Sequence, residues 1–178
     1  MVNRFIAEYM ANSRRRILPG VGAFEDAARK LRESGMADLV KEEAARGKPI
    51  MGICLGMQLL FERSFEYGEH QGLGLLKGNV VPMKGYIDED LKIPHMGWNS
   101  LKFPNKGRLF AGLEEDSYVY FVHSYYLQAE EPEIVVATTE YATLIHAAVE
   151  KDNVFACQFH PEKSSEVGLK IIENFIAL

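Results

Sequence analysis

The chain lacks the features that would mark a membrane, secreted or nucleic-acid-binding protein. No apolar run in its 178 residues is long enough to span a bilayer. No basic segment precedes an apolar stretch, as it would in a secretory signal. Lysine and arginine form no long stripe and the net charge is −5, which argues against a nucleic-acid partner. We therefore expect a protein that binds neither a membrane nor nucleic acid.

Cysteine is also scarce. Cys54 and Cys157 cannot make a disulfide framework, and both lie in apolar, strand-like segments. This usage is typical of the reducing cytoplasm. None of the five histidines has metal-ligand spacing with a cysteine or a carboxylate. We predict that the protein needs no metal and no other cofactor.

What the chain does contain is an alternation of apolar strands and amphipathic helices. Helical spacing predicts helices over 1–13, 24–46, 55–63 and 165–178, and residues 64–77 are expected to be loop. Strands are predicted over 16–18, 49–53, 79–83, 98–103, 118–123, 134–137, 143–149 and 154–159. With no linker or repeat in view, we expect one α/β domain over residues 1–178. Its sheet should be mostly parallel and flanked by helices.

The segment Gly52–Gly56 reads G-x-C-x-G between a predicted strand and a predicted helix. This is the layout of a nucleophile elbow, in which small residues let the chain turn sharply. The start of the helix is expected to lower the pKa of the Cys54 thiol, and the N–H of Leu55 would stabilise an oxyanion. An inert buried cysteine fits so short a motif equally well. Cys157 lies on the apolar face of its strand and is interpreted as a core residue.

A thiol nucleophile in acyl transfer needs a base that later protonates the leaving amine. His160 ends the last predicted strand, and Pro161 turns the chain there. Glu162 can then return to the imidazole and fix its tautomer. The alternative is a strand-end histidine beside a solvated glutamate.

The glycine-rich turn Pro19–Gly22 follows the first predicted strand. It is a poor phosphate cradle because no Lys-Ser/Thr pair follows it. Its flexible backbone could instead direct a second N–H towards an oxyanion. A tight strand-to-helix turn would explain the same residues.

Together, these segments resemble the class I (triad) glutamine amidotransferases. The similarity runs from about Leu18 to the C-terminus and includes Gly-Ile-Cys-Leu-Gly-Met-Gln at 52–58 and Phe-His-Pro-Glu-Lys-Ser at 159–164. The string Pro-His-Met-Gly-Trp-Asn at 94–99 is similar to the signature of the glutaminase subunits of imidazole glycerol phosphate synthases. The resemblance implies a flavodoxin-like α/β fold with a nucleophile elbow and a role in histidine biosynthesis.

The resemblance also implies roles for individual residues. The catalytic triad would be Cys54, His160 and Glu162, and the oxyanion hole would be formed by Gly22, Val21 and Leu55. Glutamine would be bound by Gln58, Glu66, His123, Ser124 and Tyr125. The surface facing a partner would comprise Pro94, His95, Met96, Gly97, Trp98, Asn99 and Lys163.

By the same resemblance, a γ-glutamyl thioester would form and release ammonia to a cyclase subunit, a TIM barrel bound as a heterodimer partner. The chain has no visible anion site for the cyclase's bisphosphate substrate, so phosphate binding would belong to the partner. Alternatives are the glutaminase of another class I amidotransferase and a DJ-1-like cysteine hydrolase, which would need neither Gln58 nor the His-Pro-Glu segment. A scaffold without activity is the non-enzymatic alternative.

The N-terminus departs from the family pattern. The family begins with a strand–helix–strand unit before the Pro-Gly-Val-Gly segment, whereas only 18 residues precede Pro19 here. Either the chain or its start site is shortened, or an amphipathic helix at 2–10 covers the gap. We favour the first, because one short helix cannot replace the hydrogen-bonding backbone of two strands.

Overall fold

A computed structural model describes residues 13–85 and 91–178. The strands are β1 (Arg16–Gly20), β2 (Ile50–Cys54), β3 (Phe61–Ser64), β4 (His70–Gln71), β5 (Leu76–Pro82), β6 (His95–Ser100), β7 (Tyr118–His123), β8 (Tyr125–Ala129), β9 (Val135–Glu140), β10 (Leu144–Lys151) and β11 (Val154–Cys157). The helices in this part of the chain are α1 (Phe24–Glu33), α2 (Met36–Ala45), α3 (Leu55–Leu60) and α4 (Ser165–Ala177). The helix expected at the N-terminus lies outside the described residues.

The strands form three sheets. The main sheet has the order β1-β2-β11-β10-β9. Strands β1, β2 and β11 are parallel, and β10 and β9 continue the sheet in antiparallel pairing. A second sheet has the order β4-β3-β5-β8, and β6 and β7 make an antiparallel ribbon. The expected α/β fold is confirmed, and its main sheet is mixed, with Cys54 on the parallel side.

The middle of the main sheet is covered on both faces. Every residue of β2 and of β11 is buried. Met51 and Phe155 pack with Phe175 of α4 on one face, whereas Ile50 and Val40 of α2 belong to the core on the other. Parallel strands enclosed in this way have continuous apolar sequences, which explains why these two were predictable.

The helix predicted over 24–46 is two helices, α1 and α2. Gly35 separates them with a φ of 76°, a left-handed conformation that glycine adopts without a Cβ clash. Gly47 follows α2 with a φ of 80° and ends it, as expected of a glycine at that position. The break lets α1 and α2 pack against each other and leaves α2 over the sheet.

Two other expectations were wrong in their bounds. The helix predicted over 55–63 ends at Leu60, and Phe61–Ser64 forms β3, which pairs in parallel with β5. The region 64–77 was expected to be loop but contains β4 and the start of β5. Strand β8 was not anticipated from the sequence; it is held in the second sheet by its antiparallel pairing with β5.

None of the helices in the described residues combines the length and the apolar character that a membrane span requires.

Candidate active site

The chain turns sharply at Cys54, between β2 and α3. Cys54 has a φ of 54° and a ψ of −113°, a conformation that costs a non-glycine residue about 1–3 kcal/mol. The flanking glycines allow this turn. A Cβ on Gly56 would lie 1.7 Å from the carbonyl oxygen of Leu18, and one on Gly52 would lie 2.7 Å from that of Gly56. The elbow predicted from the sequence is therefore present.

The environment of the Cys54 thiol differs from the expectation. Burial raises the pKa of the Cys54 thiol, and the carboxylate of Glu162 acts in the same direction. The backbone N–H of Leu55 and the charge of Lys163 lower this pKa but do not cancel the burial. The expected net lowering was wrong because α3 has only six residues and the sulfur is almost fully enclosed. Without substrate, the thiol form is favoured.

Gln158 contacts the sulfur of Cys54 directly. Its Nε2 lies 3.7 Å from the Sγ of Cys54, and its Oε1 accepts a hydrogen bond of 2.9 Å from Nε2 of Gln58. The side chain of Gln158 is fully buried, so the orientation of its amide is fixed by these contacts. An N–H directed at sulfur favours the thiolate over the thiol.

His160 and Glu162 form the predicted contact. Nδ1 of His160 lies 2.7 Å from Oε1 of Glu162. Nε2 of the same ring is buried and has no hydrogen-bond partner among the described residues. The backbone here is anchored by Ser164, whose hydroxyl donates to the carbonyl of His160 and accepts from the N–H of Tyr120. The arrangement leaves one imidazole nitrogen available for a proton.

The glycine-rich turn lies beside the elbow. Val21 is 81% exposed, and Gly22 has a φ of 101°, which only glycine adopts readily. Two residues after Gly22, the N–H of Phe24 donates to a carboxylate oxygen of Glu66 across 2.6 Å. Glu66 therefore joins the turn to the loop after β3.

These segments surround one pocket of about 640 Å³. Its walls come from the glycine-rich turn, the elbow, the loop after β3, the β7–β8 turn and the segment before β6. The lining residues include Val21, Gly22, Cys54, Leu55, Gln58, Glu66, Tyr67, Lys84, Pro94, His123, Ser124, Tyr125 and His160. Glu162 lies behind His160, outside the pocket lining. Residues from about 140 positions of sequence thus meet in one cavity large enough for an amino acid.

The residues expected to bind glutamine are already hydrogen-bonded to the protein. Nε2 of Gln58 lies 3.4 Å from the carbonyl of Tyr125, besides its contact with Gln158. His123 donates from Nδ1 to the same carbonyl across 2.8 Å. The β7–β8 turn is therefore a fixed wall of the pocket.

The segment 94–99 divides between surface and interior. Met96 and Trp98 are 61% and 51% exposed, and the ring of Trp98 contacts Tyr120 of β7. His95 is buried, so its side chain is not available to a partner. Lys163 is exposed in the turn after His160, whose backbone N–H donates to the carbonyl of Tyr120. We call the exposed side chains of Met96, Trp98, Tyr118 and Lys163 the β6 face.

Sequence reasoning missed Gln158, which contacts Cys54, and Tyr67, which lines the pocket. Gln158 lies two positions before His160, and a polar residue on the same strand face as a candidate base was a usable signal. Tyr67 is 91% exposed at the pocket mouth, with a φ of 55° and its ring 6.4 Å from that of Tyr125. An exposed loop tyrosine has no sequence pattern that would reveal it.

The elbow, the buried imidazole and the enclosed pocket define the class of protein. The sequence model of the family "Glutamine amidotransferase class-I" matches residues 5–178. The chain belongs to this family. Among solved structures it is similar to PurLQS from Thermotoga maritima, at 25% identity with a TM-score of 0.65, over 90% of this chain and 78% of that one.

Within the family, the chain is similar to one particular subunit. It is 54% identical to "Imidazole glycerol phosphate synthase subunit HisH" of Caldanaerobacter subterraneus, over 95% of this chain and 81% of the relative. It is 50% identical to the HisH subunit of Geobacillus thermodenitrificans, over 96% of this chain and 81% of the relative. The likeness therefore extends over most of both chains.

Proposed function

We propose that the chain is the glutaminase subunit of imidazole glycerol phosphate synthase and acts as one domain. The observation that carries this is the pocket in which Cys54 and the unpartnered Nε2 of His160 meet. The similarity to HisH subunits supports this choice over the glutaminase of another amidotransferase. It also favours glutaminase chemistry over a DJ-1-like hydrolase or a scaffold.

In the proposed reaction, the sulfur of Cys54 attacks the side-chain amide carbon of glutamine while Nε2 of His160 takes the thiol proton. The N–H of Leu55 and an N–H of the Val21–Gly22 turn stabilise the oxyanion. Collapse of the tetrahedral intermediate expels ammonia, which receives the proton from His160. Glu162 holds Nδ1 and stabilises the imidazolium throughout.

A γ-glutamyl thioester on Cys54 remains. Water, deprotonated by His160, attacks its carbonyl carbon and releases glutamate and the thiol. Burial raises the pKa of the resting thiol, so we propose that Cys54 gives its proton to His160 only once glutamine is bound. Because the resting Cys54 carries its proton, its reaction with electrophiles other than glutamine would be slow.

We further propose that the β6 face docks the cyclase subunit. Two large apolar side chains, Met96 and Trp98, are exposed beside Tyr118, and a basic residue, Lys163, provides a charged contact. Exposed aromatic and Met side chains of this kind are enriched in protein interfaces. Pro94, at the start of the same segment, lines the pocket, so ammonia would leave close to the partner.

The test is a steady-state glutaminase assay of the chain alone, with the cyclase subunit, and with the cyclase plus its nucleotide ligand. We expect a low rate that rises on adding the partner, because the Val21–Gly22 turn can move between donor-in and donor-out states. Glutamate formation at the same rate in all three conditions would refute activation by the partner. No glutamate in any of them would refute the proposed function itself.

A further inference from the structure

A line of hydrogen bonds runs through the interior from β6 to the pocket wall. Nδ1 of His95 lies 3.1 Å from Nε2 of His123, and Nδ1 of His123 lies 2.8 Å from the carbonyl oxygen of Tyr125. At the other end, Nδ2 of Asn99 lies 3.4 Å from Nε2 of His95. Both imidazoles are more than nine-tenths buried, which limits competition from water for these contacts.

The two ends of the line fix the position of every hydrogen. The Tyr125 carbonyl can only accept, so Nδ1 of His123 carries a hydrogen and its Nε2 must accept. His95 then donates from Nδ1 and accepts at Nε2 from Asn99. The amide of Asn99 is oriented for this role because its Oδ1 accepts from the N–H of Ser100 across 2.9 Å. Both histidines are therefore neutral and in the same tautomer.

Packing holds the rings in place. His95 is stacked between Tyr141 and Phe121, with ring centroids 4.0 and 4.8 Å away. Among the described residues, no carboxylate contributes to the pKa of either ring, and burial lowers the pKa of His95 to about 4 and that of His123 to about 3. The two neutral rings hold each other and the Tyr125 carbonyl in place through one hydrogen bond each.

The line joins two surfaces with different proposed roles. His95 and His123 are paired across β6 and β7, so a shift of β6 would change the contact between the two rings. Met96, the neighbour of His95, faces outwards on the β6 face. Tyr125, at the far end, lines the pocket together with Ser124.

We propose that His95 and His123 are a positioning pair that holds the Ser124–Tyr125 wall for glutamine and couples it to a partner bound on the β6 face. This inference rests on the proposed function. It predicts that the donor at the Nδ1 position of His95, rather than the bulk of its ring, sets the KM for glutamine.

Two substitutions separate the donor from the ring. His95→Phe keeps the stacked ring and removes the hydrogen bond to His123, whereas His95→Asn keeps an N–H near the Nδ1 position and removes the ring. With the cyclase bound, we expect His95→Phe to raise the KM about fivefold with kcat changed less than about twofold, as for one lost hydrogen bond. The KM of His95→Asn should stay close to that of the wild type. His146→Phe is the matched control, because it removes one contact from a histidine to the N–H of Ala129 outside the pocket.

The reverse order of KM, with His95→Asn the more impaired, would show a packing role and overturn the inference. So would an unchanged KM in both variants. If either variant fails to fold, NMR of the ¹⁵N-labelled wild type decides: His123 must carry its hydrogen on Nδ1, and the Nε2–H form would overturn the inference. A wild-type complex without glutaminase activity would refute the proposed function instead, and the tautomer measurement would still test the hydrogen-bonded line.

Discussion

The Nε2 of Gln158 lies 3.7 Å from the Sγ of Cys54, and both side chains are buried. Their backbones belong to the adjacent strands β2 and β11, or directly follow them. Nε2 of Gln58 donates a hydrogen bond to Oε1 of Gln158 and so holds the Gln158 amide in this orientation. The sulfur of Cys54 therefore has a fixed polar neighbour besides the N–H of Leu55.

We predict that Gln158→Leu raises the pKa of the Cys54 thiol and slows its alkylation at neutral pH about fivefold, because an N–H that favours the thiolate is lost. The measurement is the pH dependence of iodoacetamide alkylation. Gln128→Leu is the control, since Gln128 is exposed and its Nε2 donates to the hydroxyl of Tyr126. Identical alkylation midpoints in wild type and Gln158→Leu would show that the contact has no electrostatic effect.

Cys54 and Cys157 should differ completely in function. Cys54→Ala removes the nucleophile, and glutamate production should disappear. Cys157 is fully buried and its pKa is raised well above the usual value by that burial, so Cys157→Ala should keep the activity and cost about 1 kcal/mol of stability. Full glutaminase activity in Cys54→Ala would exclude the proposed thioester.

His160→Ala should lower kcat at least as much as Glu162→Gln. His160 moves the proton, a contribution of about 10²–10⁴-fold, whereas Glu162 acts through the ring that it orients. Glu162 is also half exposed, so water can partly replace its carboxylate. The comparison requires kcat at neutral pH for both variants in the assembled enzyme. A larger loss in Glu162→Gln would reverse the assigned roles.

Glu43 of α2 is the most heavily paired carboxylate in the described residues. Its side chain is fully buried and contacts Arg16, Arg46 and Lys48. Hydrogen bonds from these cations outweigh the effect of burial and lower the pKa of Glu43 from 4.5 to about 2. Arg16 begins β1, so this cluster joins the sheet to α2.

We predict that Glu43→Gln is destabilised by about 3 kcal/mol at neutral pH. Because the folded pKa is lowered, the contribution is complete above pH 4.5 and is lost as the pH falls towards about 2. Urea unfolding over this range should show the wild type and the variant converging at the acid end. The control is Glu33→Gln, an exposed helix pair with Arg29 that contributes less than about 0.5 kcal/mol. A constant gap between wild type and Glu43→Gln would contradict the assignment.

The sequence was informative where the signal was local. The elbow at Cys54 depends on glycines two positions away, and His160 and Glu162 are two positions apart, so both arrangements could be predicted from short segments. The buried strands β2 and β11 were equally clear because both of their faces are apolar.

The features that could not be predicted from the sequence depend on contacts between residues far apart in the chain. Helix α3 stops at Leu60 because Phe61 enters a sheet with β5, and nothing within 55–63 indicates that partner. The contact of His95 with His123 requires the register of β6 on β7. The raised pKa of Cys54 follows from enclosure by segments distant in sequence, whereas the motif alone suggested the opposite direction.

Strands β2 and β11 are buried, whereas parts of the pocket wall are exposed, and this difference determines how the molecule should respond to heat. Strands β2 and β11 are neighbours enclosed on both faces, so their amide hydrogens should exchange with solvent only when the whole molecule opens. The Val21–Gly22 turn and the loop carrying Tyr67 are exposed and can open locally. A warmed enzyme should therefore release its substrate while the sulfur and the imidazole keep their places. Inactivation by mild heating would then be reversible on cooling, up to the temperature at which the main sheet itself comes apart.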